Sequence, residues 1–174
     1  MEYMFLPLKR YAEFSGRSRR MEYWMWVVFQ MLVMMAFWVL MLVTLGSAAM
    51  STARGSPTGL MAAGGAALVI WGVMMLVWLA FIIPGLAVAV RRLHDTNRSG
   101  WWILAPIAGY VIMFIGISMA AGGSSIGGLL TAVGGIAALI LAIMLLVFMF
   151  LEGTKGPNKY GPDPKGQVDT QVFA

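Results

Sequence analysis

WWILAPIAGYVIMFIGISMAAGGSSIGGLLTAVGGIAALILAIMLLVFMFL, residues 101–151, runs for 51 residues without one charged side chain. A helix rises about 1.5 Å per residue, so about 20 apolar residues cross a hydrocarbon core about 30 Å thick. The run is long enough for two crossings. The segment Gly122-Gly123-Ser124-Ser125-Ile126-Gly127-Gly128 divides it into spans of about 101–121 and 129–151. Toward the N-terminus the pattern repeats, because Glu22 and Arg54 are the only charges between Met21 and Val90. This gives a span of about 24–45 and a second of about 60–90, joined by a small, polar connector over Gly46 to Gly59. At 31 residues the second is too long for one upright crossing, and a break or kink is expected near Pro84-Gly85.

The composition agrees. Of 174 residues, 60% are apolar and 11% charged, with a mean hydropathy of +0.83. Soluble domains run nearer 45–50% apolar and about 25% charged. A soluble globular enzyme is thereby disfavoured, as are a disordered chain and, without cysteine, a disulfide scaffold. The apolar run from Trp24 is 22 residues, longer than the core of a cleaved signal. The expected fold class is all-α: a polytopic membrane protein, a four-transmembrane-helix bundle with a short N-terminal interfacial helix. Residues 1–174 form a single integral membrane domain with a tail over 152–174. The N-terminal helix is expected from about Leu8, with Leu8, Tyr11 and Ala12 on one side and Gly16 as its end. Ser18 is a candidate N-cap for the first span.

Four spans put both termini on one side. Lys9, Arg10, Arg17, Arg19 and Arg20 precede the first span, Arg91, Arg92 and Arg98 lie between the second and third, and Lys155, Lys159 and Lys165 follow the fourth. Eleven of the 12 basic residues therefore share one face and only Arg54 opposes them. The positive-inside rule makes that face cytoplasmic. The expected location is a bacterial inner membrane, multi-pass, with N- and C-termini cytoplasmic.

No ionisable residue lies well inside a span, which counts against pumps and ion-coupled carriers. Sixteen methionines raise copper as a soft-ligand possibility, but one histidine and no cysteine are there to complete a site, and methionine fills helix interfaces well. No metal and no cofactor are expected. Small residues at helix-packing spacing, Gly134, Ala138 and Ala142, Thr131 and Gly135, and Gly85 and Ala89, point to close helix contacts, within the chain or in a homo-oligomer.

The densest polar chemistry is Arg91-Arg92-Leu93-His94-Asp95-Thr96-Asn97-Arg98-Ser99-Gly100-Trp101-Trp102. Arginine offers a rigid fork of donors for phosphate or carboxylate. Arg91 and Asp95, four apart, can pair on one helical face. Thr96 to Gly100 reads as a turn, and the two tryptophans mark re-entry into the membrane. His94 beside Asp95 has the makings of an acid/base pair, but no nucleophile accompanies it. The tail holds four glycines and three prolines between Gly153 and Gly166, a string of turns.

Three segments together resemble a known family. They are Phe14-Ser15-Gly16-Arg17-Ser18-Arg19-Arg20-Met21-Glu22-Tyr23-Trp24, then Arg91-Arg92-Leu93-His94-Asp95 with Arg98-Ser99-Gly100-Trp101-Trp102, then Glu152-Gly153-Thr154 through Asn158, Tyr160-Gly161 and Asp163-Pro164. The pattern resembles the YhaH-like family of small bacterial inner-membrane proteins, domain of unknown function 805. The resemblance implies an inner-membrane protein of several helices and no established activity. All three segments fall on the face assigned to the cytoplasm.

The candidate binding set is Arg17, Arg19, Arg91, Arg92, His94, Asp95, Arg98, Trp101, Asn158 and Asp163, with no catalytic residue assigned. The expected function is a non-enzymatic binding or accessory role, the basic face engaging anionic lipid headgroups or an acidic protein partner. The alternatives are an enzyme acting on a lipid headgroup or lipid-linked phosphate through His94 and Asp95, and a small-solute channel or carrier. Nucleic acid is not expected, because the basic residues track membrane boundaries.

Overall fold

A computed structural model describes residues 2–166; Met1 and residues 167–174, the last part of the expected tail, lie outside the described residues. The elements are α1 (Glu2–Lys9), α2 (Arg20–Ala53), α3 (Pro57–Asp95), a 3₁₀ turn (Gly100–Leu104), α4 (Ala105–Ala121) and α5 (Ser125–Phe150). Among the described residues no strand occurs beyond an isolated bridge between Asn158 and Gly161. The fold is the all-α, polytopic membrane class expected, with four helices among the described residues long and apolar enough to cross a bilayer. The chain divides into two compact units, one of residues 2–12 and 24–86, the other of residues 13–23 and 87–166.

In the first unit, Trp26 on α2 is buried, with its ring 5.6 Å from Phe29 and 5.2 Å from Phe81. Phe5 meets Phe29 edge-on at 5.2 Å. That contact accounts for a difference at the N-terminus: the short helix is Glu2–Lys9 rather than one starting near Leu8. Placing Phe5 on Phe29 draws the first residues into the helix, and the chain turns after Lys9.

The expected break at Pro84 does not occur, since α3 continues through it. Proline has no amide hydrogen and leaves the carbonyl four residues back without its helical donor. That carbonyl belongs to Ala80, and the Tyr11 hydroxyl donates to it at 2.7 Å. A side chain from outside the helix thus replaces the missing bond.

The expected polar connector over 46–59 is also mostly helical. Thr44, Ser51 and Thr52 donate their hydroxyls to the carbonyls of Leu40, Ser47 and Ala48, one turn back, and Ser47 donates to Thr44. These local bonds satisfy the hydroxyls within the helix, so α2 reaches Ala53. Gly55 then takes a φ of +67° and Ser56 accepts from the Gly59 amide at 3.3 Å, capping α3.

In the second unit α4 and α5 pack closely. A Cβ added at Gly109 would collide with the Ala138 backbone, at Gly116 with Thr131, at Gly127 with Ala120 and at Gly134 with Met113. Gly134 and Ala138 therefore serve packing within the chain. Large side chains such as Phe114, Leu129, Ile136 and Leu139 face outward. Small residues at the seam and large ones outside are what close packing in a lipid solvent requires. The helix α5 starts at Ser125, earlier than the expected 129, because Gly127 is held in the seam.

Candidate functional site

The last turns of α3 carry a polar centre in the second unit. Helix α3 ends in a Schellman motif: Arg98 N–H donates to Leu93 O at 2.9 Å and Asn97 N–H to His94 O at 3.0 Å. Asn97 takes the left-handed conformation this needs, with φ of 59°. This geometry presents Arg91, Arg92 and Asp95 inward, and all three are buried.

Asp95 is the hub. Its carboxylate accepts from Arg17 Nε at 3.0 Å, lies 2.9 Å from the Arg17 Nη2 and accepts from Arg92. Its main-chain carbonyl accepts from the Thr154 amide at 2.9 Å and hydroxyl at 3.1 Å. Arg17 also donates to the carbonyls of Gly156 at 2.6 Å and Thr154 at 2.5 Å. Arg92 donates to the carbonyls of Met149 and Leu151 at the end of α5. A Cβ at position 153 would collide with the Asp95 carboxylate, so the glycine there lets the tail pass.

Arg91 and Asp95 do not pair, contrary to the expectation from their spacing. Arg91 pairs with Glu22 at 2.8 Å and donates to Glu13 O, while Asp95 is taken by Arg17 and Arg92. The three-residue spacing of Arg92 and Asp95 is equally suited to a helix face. Ser18 does not cap α2 with its side chain either: its Oγ is buried without a hydrogen-bond partner among the described residues, and its amide donates to Arg91 O at 3.1 Å.

His94 Nδ1 is 3.2 Å from Gly16 O; a carbonyl only accepts, so Nδ1 carries the proton. The ring stacks on Tyr160 with centroids 3.8 Å apart and planes within 4°. Asn158 Nδ2 donates to His94 O and to Thr154 Oγ1, both at 2.9 Å. The imidazole is thus oriented by a backbone carbonyl and a tail aromatic, and the Asp95 carboxylate is occupied by guanidinium groups.

Arg19 Nε donates to Pro164 O at 2.6 Å. Asp163 accepts from the Lys165 amide at 2.9 Å and the Gly156 amide at 3.1 Å. Chiefly through the Lys165 amide, with help from the Gly156 amide and the charges of Arg17 and Lys165, its carboxyl is held below the usual range. The Glu152 carboxyl is lowered too, first by its hydrogen bond to Lys165 and then by the charges of Lys165, Arg20 and Lys155.

Eight of the ten sequence candidates, Arg17, Arg19, Arg91, Arg92, His94, Asp95, Asn158 and Asp163, therefore sit in or beside one network. Arg98 and Trp101 do not. Arg98 lies 4.0 Å over the Phe148 ring, and Trp101 is 78% exposed. Glu22, Gly153, Thr154 and Tyr160 belong to the network although they were outside the candidate binding set. Glu22 carried a signal, as one of two charges in a 70-residue stretch from Met21 to Val90.

Beside the network lies a cavity of about 320 Å³. Its wall carries five cations, Arg17, Arg19, Arg20, Lys155 and Lys165, against three carboxylates, Asp95, Glu152 and Asp163. Among the described residues no group of three metal-ligating side chains occurs.

Four apolar helices with a buried arginine–carboxylate network at one end of α3 define a small polytopic membrane protein. Residues 11–162 match the family described as "Protein of unknown function (DUF805)", and the chain belongs to that family. It is 34% identical over 165 residues to "Inner membrane protein YhaI" of Escherichia coli (strain K12), covering 95% of this chain and 97% of that one. It is 29% identical over 167 residues to "Inner membrane protein YhaH" of the same organism, covering 95% and 98%. To "Uncharacterized protein YiiR" it is 30% identical over 153 residues, covering 86% and 84%. No solved structure matches. The matched range includes the first two polar segments and the third as far as Pro162.

Proposed function

We propose that this protein is a non-enzymatic binding protein of the inner membrane whose basic face, turned to the cytoplasm, engages anionic lipid headgroups. The charge distribution supports the orientation, with 11 of 12 basic residues in segments on one side of the spans. The observation that carries the binding role is the surplus of cations around the cavity. Arg17, Arg91 and Arg92 are buried, their charges answered by Asp95 and Glu22, so they build the site rather than reach for a ligand. Recognition falls to the cations on the surface, Arg20, Lys155, Lys159 and Lys165. Each basic group near an anionic leaflet contributes about 1 kcal/mol, enough for binding without chemistry.

Catalysis by His94 finds little support, because Asp95 does not orient the imidazole and the nearby Thr154 hydroxyl is engaged with Asp95 O and Asn158. The test is reconstitution into nanodiscs of mixed zwitterionic and anionic lipid. Wild type should retain an excess of anionic lipid, and substitution of Lys155, Lys159 and Lys165 by Gln should reduce it. Equal composition around wild type and variant would remove the lipid reading.

A further inference from the structure

We infer that the cavity beside the arginine network is a receptor for one phosphate group, either on a lipid headgroup or free in solution. This deepens the headgroup reading and rests on it. The lining cations exceed the carboxylates by two charges, which a phosphate dianion or a phosphate ester neutralises wholly or in part. At about 320 Å³ the cavity falls at the small end of ligand pockets and leaves room for an ester substituent. Arg19, Arg20 and Met21 bring the start of α2 to its wall, and the positive end of a helix adds to the same field.

The cations divide into two kinds. Arg17 is 99% buried in its side chain and spends its donors on Asp95, Thr154 and Gly156, so it is scaffold. Arg20 and Lys165 are held differently: both meet Glu152, at 3.5 Å and 3.0 Å, in pairs whose side chains are about half exposed. Exposed pairs are weak, so a phosphate can draw both cations away at little cost. Lys155, exposed on the same wall, forms no ion pair among the described residues. Glu152 then acts as the stand-in anion that the ligand displaces.

This division makes opposite predictions for neighbouring side chains. Removing the competitor by Glu152→Gln should tighten phosphate binding about fivefold, while Lys155→Gln and Lys165→Gln should each weaken it about fivefold. A purely structural role for these residues would not yield opposite signs, and all three are exposed enough to be changed without disturbing the core.

The experiment is calorimetric titration of the full chain in zwitterionic micelles with inorganic phosphate and with short-chain phosphatidic acid. Saturable binding of at least one probe, tightened by Glu152→Gln and weakened by the lysine substitutions, is expected. Phosphatidic acid binding that millimolar inorganic phosphate leaves intact assigns the site to a headgroup; displacement by inorganic phosphate assigns it to the free anion. Affinities unchanged across all three variants overturn the cavity assignment. If nanodiscs still show anionic-lipid enrichment in that case, only the cavity falls; if wild type shows none, the broader reading falls with it.

Discussion

Asp95→Asn is the perturbation that the polar network makes most consequential. The side chain is 6% exposed and answers two guanidinium groups, of Arg17 and Arg92, whose own side chains are 1% and 0% exposed. Breaking a buried pair costs about 3–5 kcal/mol, because the surviving charge stays buried without compensation. Here two charges survive, which pushes the cost up. Both arginines keep carbonyl acceptors, Thr154 and Gly156 for Arg17 and Met149 and Leu151 for Arg92, which pulls it back. The expected loss is about 3–5 kcal/mol, read by SDS-titrated unfolding in mixed micelles. Adding Arg92→Met to Asp95→Asn should cost less than the sum of the two single changes by at least about 1 kcal/mol, since neighbours in one network couple. An Asp95→Asn variant within about 1 kcal/mol of wild type would refute the reasoning, since it would mean that the guanidinium charges are not buried against this carboxylate.

Other consequences follow from single contacts. Gly109→Ala places a methyl against the Ala138 backbone and should destabilise the chain by about 1–3 kcal/mol in the same unfolding assay, whereas Gly128→Ala, with open space around it, should not. Tyr11→Phe deprives the Ala80 carbonyl of its donor at a cost of about 1 kcal/mol. Pro84→Ala in the Tyr11→Phe background should recover that loss, because an amide at position 84 can bond Ala80 O directly. The Asp163 carboxyl, held below its ordinary range by the Lys165 and Gly156 amides, stabilises the tail above its unfolded pKa and ceases to do so as pH falls through its lowered value. Amide exchange at Gly156 should therefore be protected at neutral pH and lose that protection only below the usual carboxylate range. Asp163→Asn should show the loss already at neutral pH.

The spans were legible in the sequence because lipid imposes a long uncharged run, a signal that needs no tertiary information. Boundaries were less so. The hydroxyls of Ser47, Ser51 and Thr52 read as part of a connector by composition, yet each bonds back into its own helix. Pro84 read as a break because the donor that repairs it, Tyr11, lies 69 residues from the Ala80 carbonyl it serves. The glycine seam was half visible: Gly134 and Ala138 showed helical spacing, while Gly109, Gly116 and Gly127 take their meaning from the facing helix. In the site, residue types pointed to the right cluster, but not to which arginine met which acid. Two partners for Asp95 and one for Arg91 were possible at helical spacing, and Arg17, 78 residues away, decided the outcome.

The most direct test of the account is whether the three polar segments share the cytoplasmic side, since a headgroup site built from all three requires it. Single cysteines at Ser15, Ser99, Lys159, Ser56 and Ser125 in the cysteine-free chain, labelled with an impermeant thiol reagent in intact cells and after lysis, read this out. The account predicts protection until lysis at Ser15, Ser99 and Lys159, with labelling of intact cells at Ser56 and Ser125. Labelling of Ser99 or Lys159 in intact cells would contradict it.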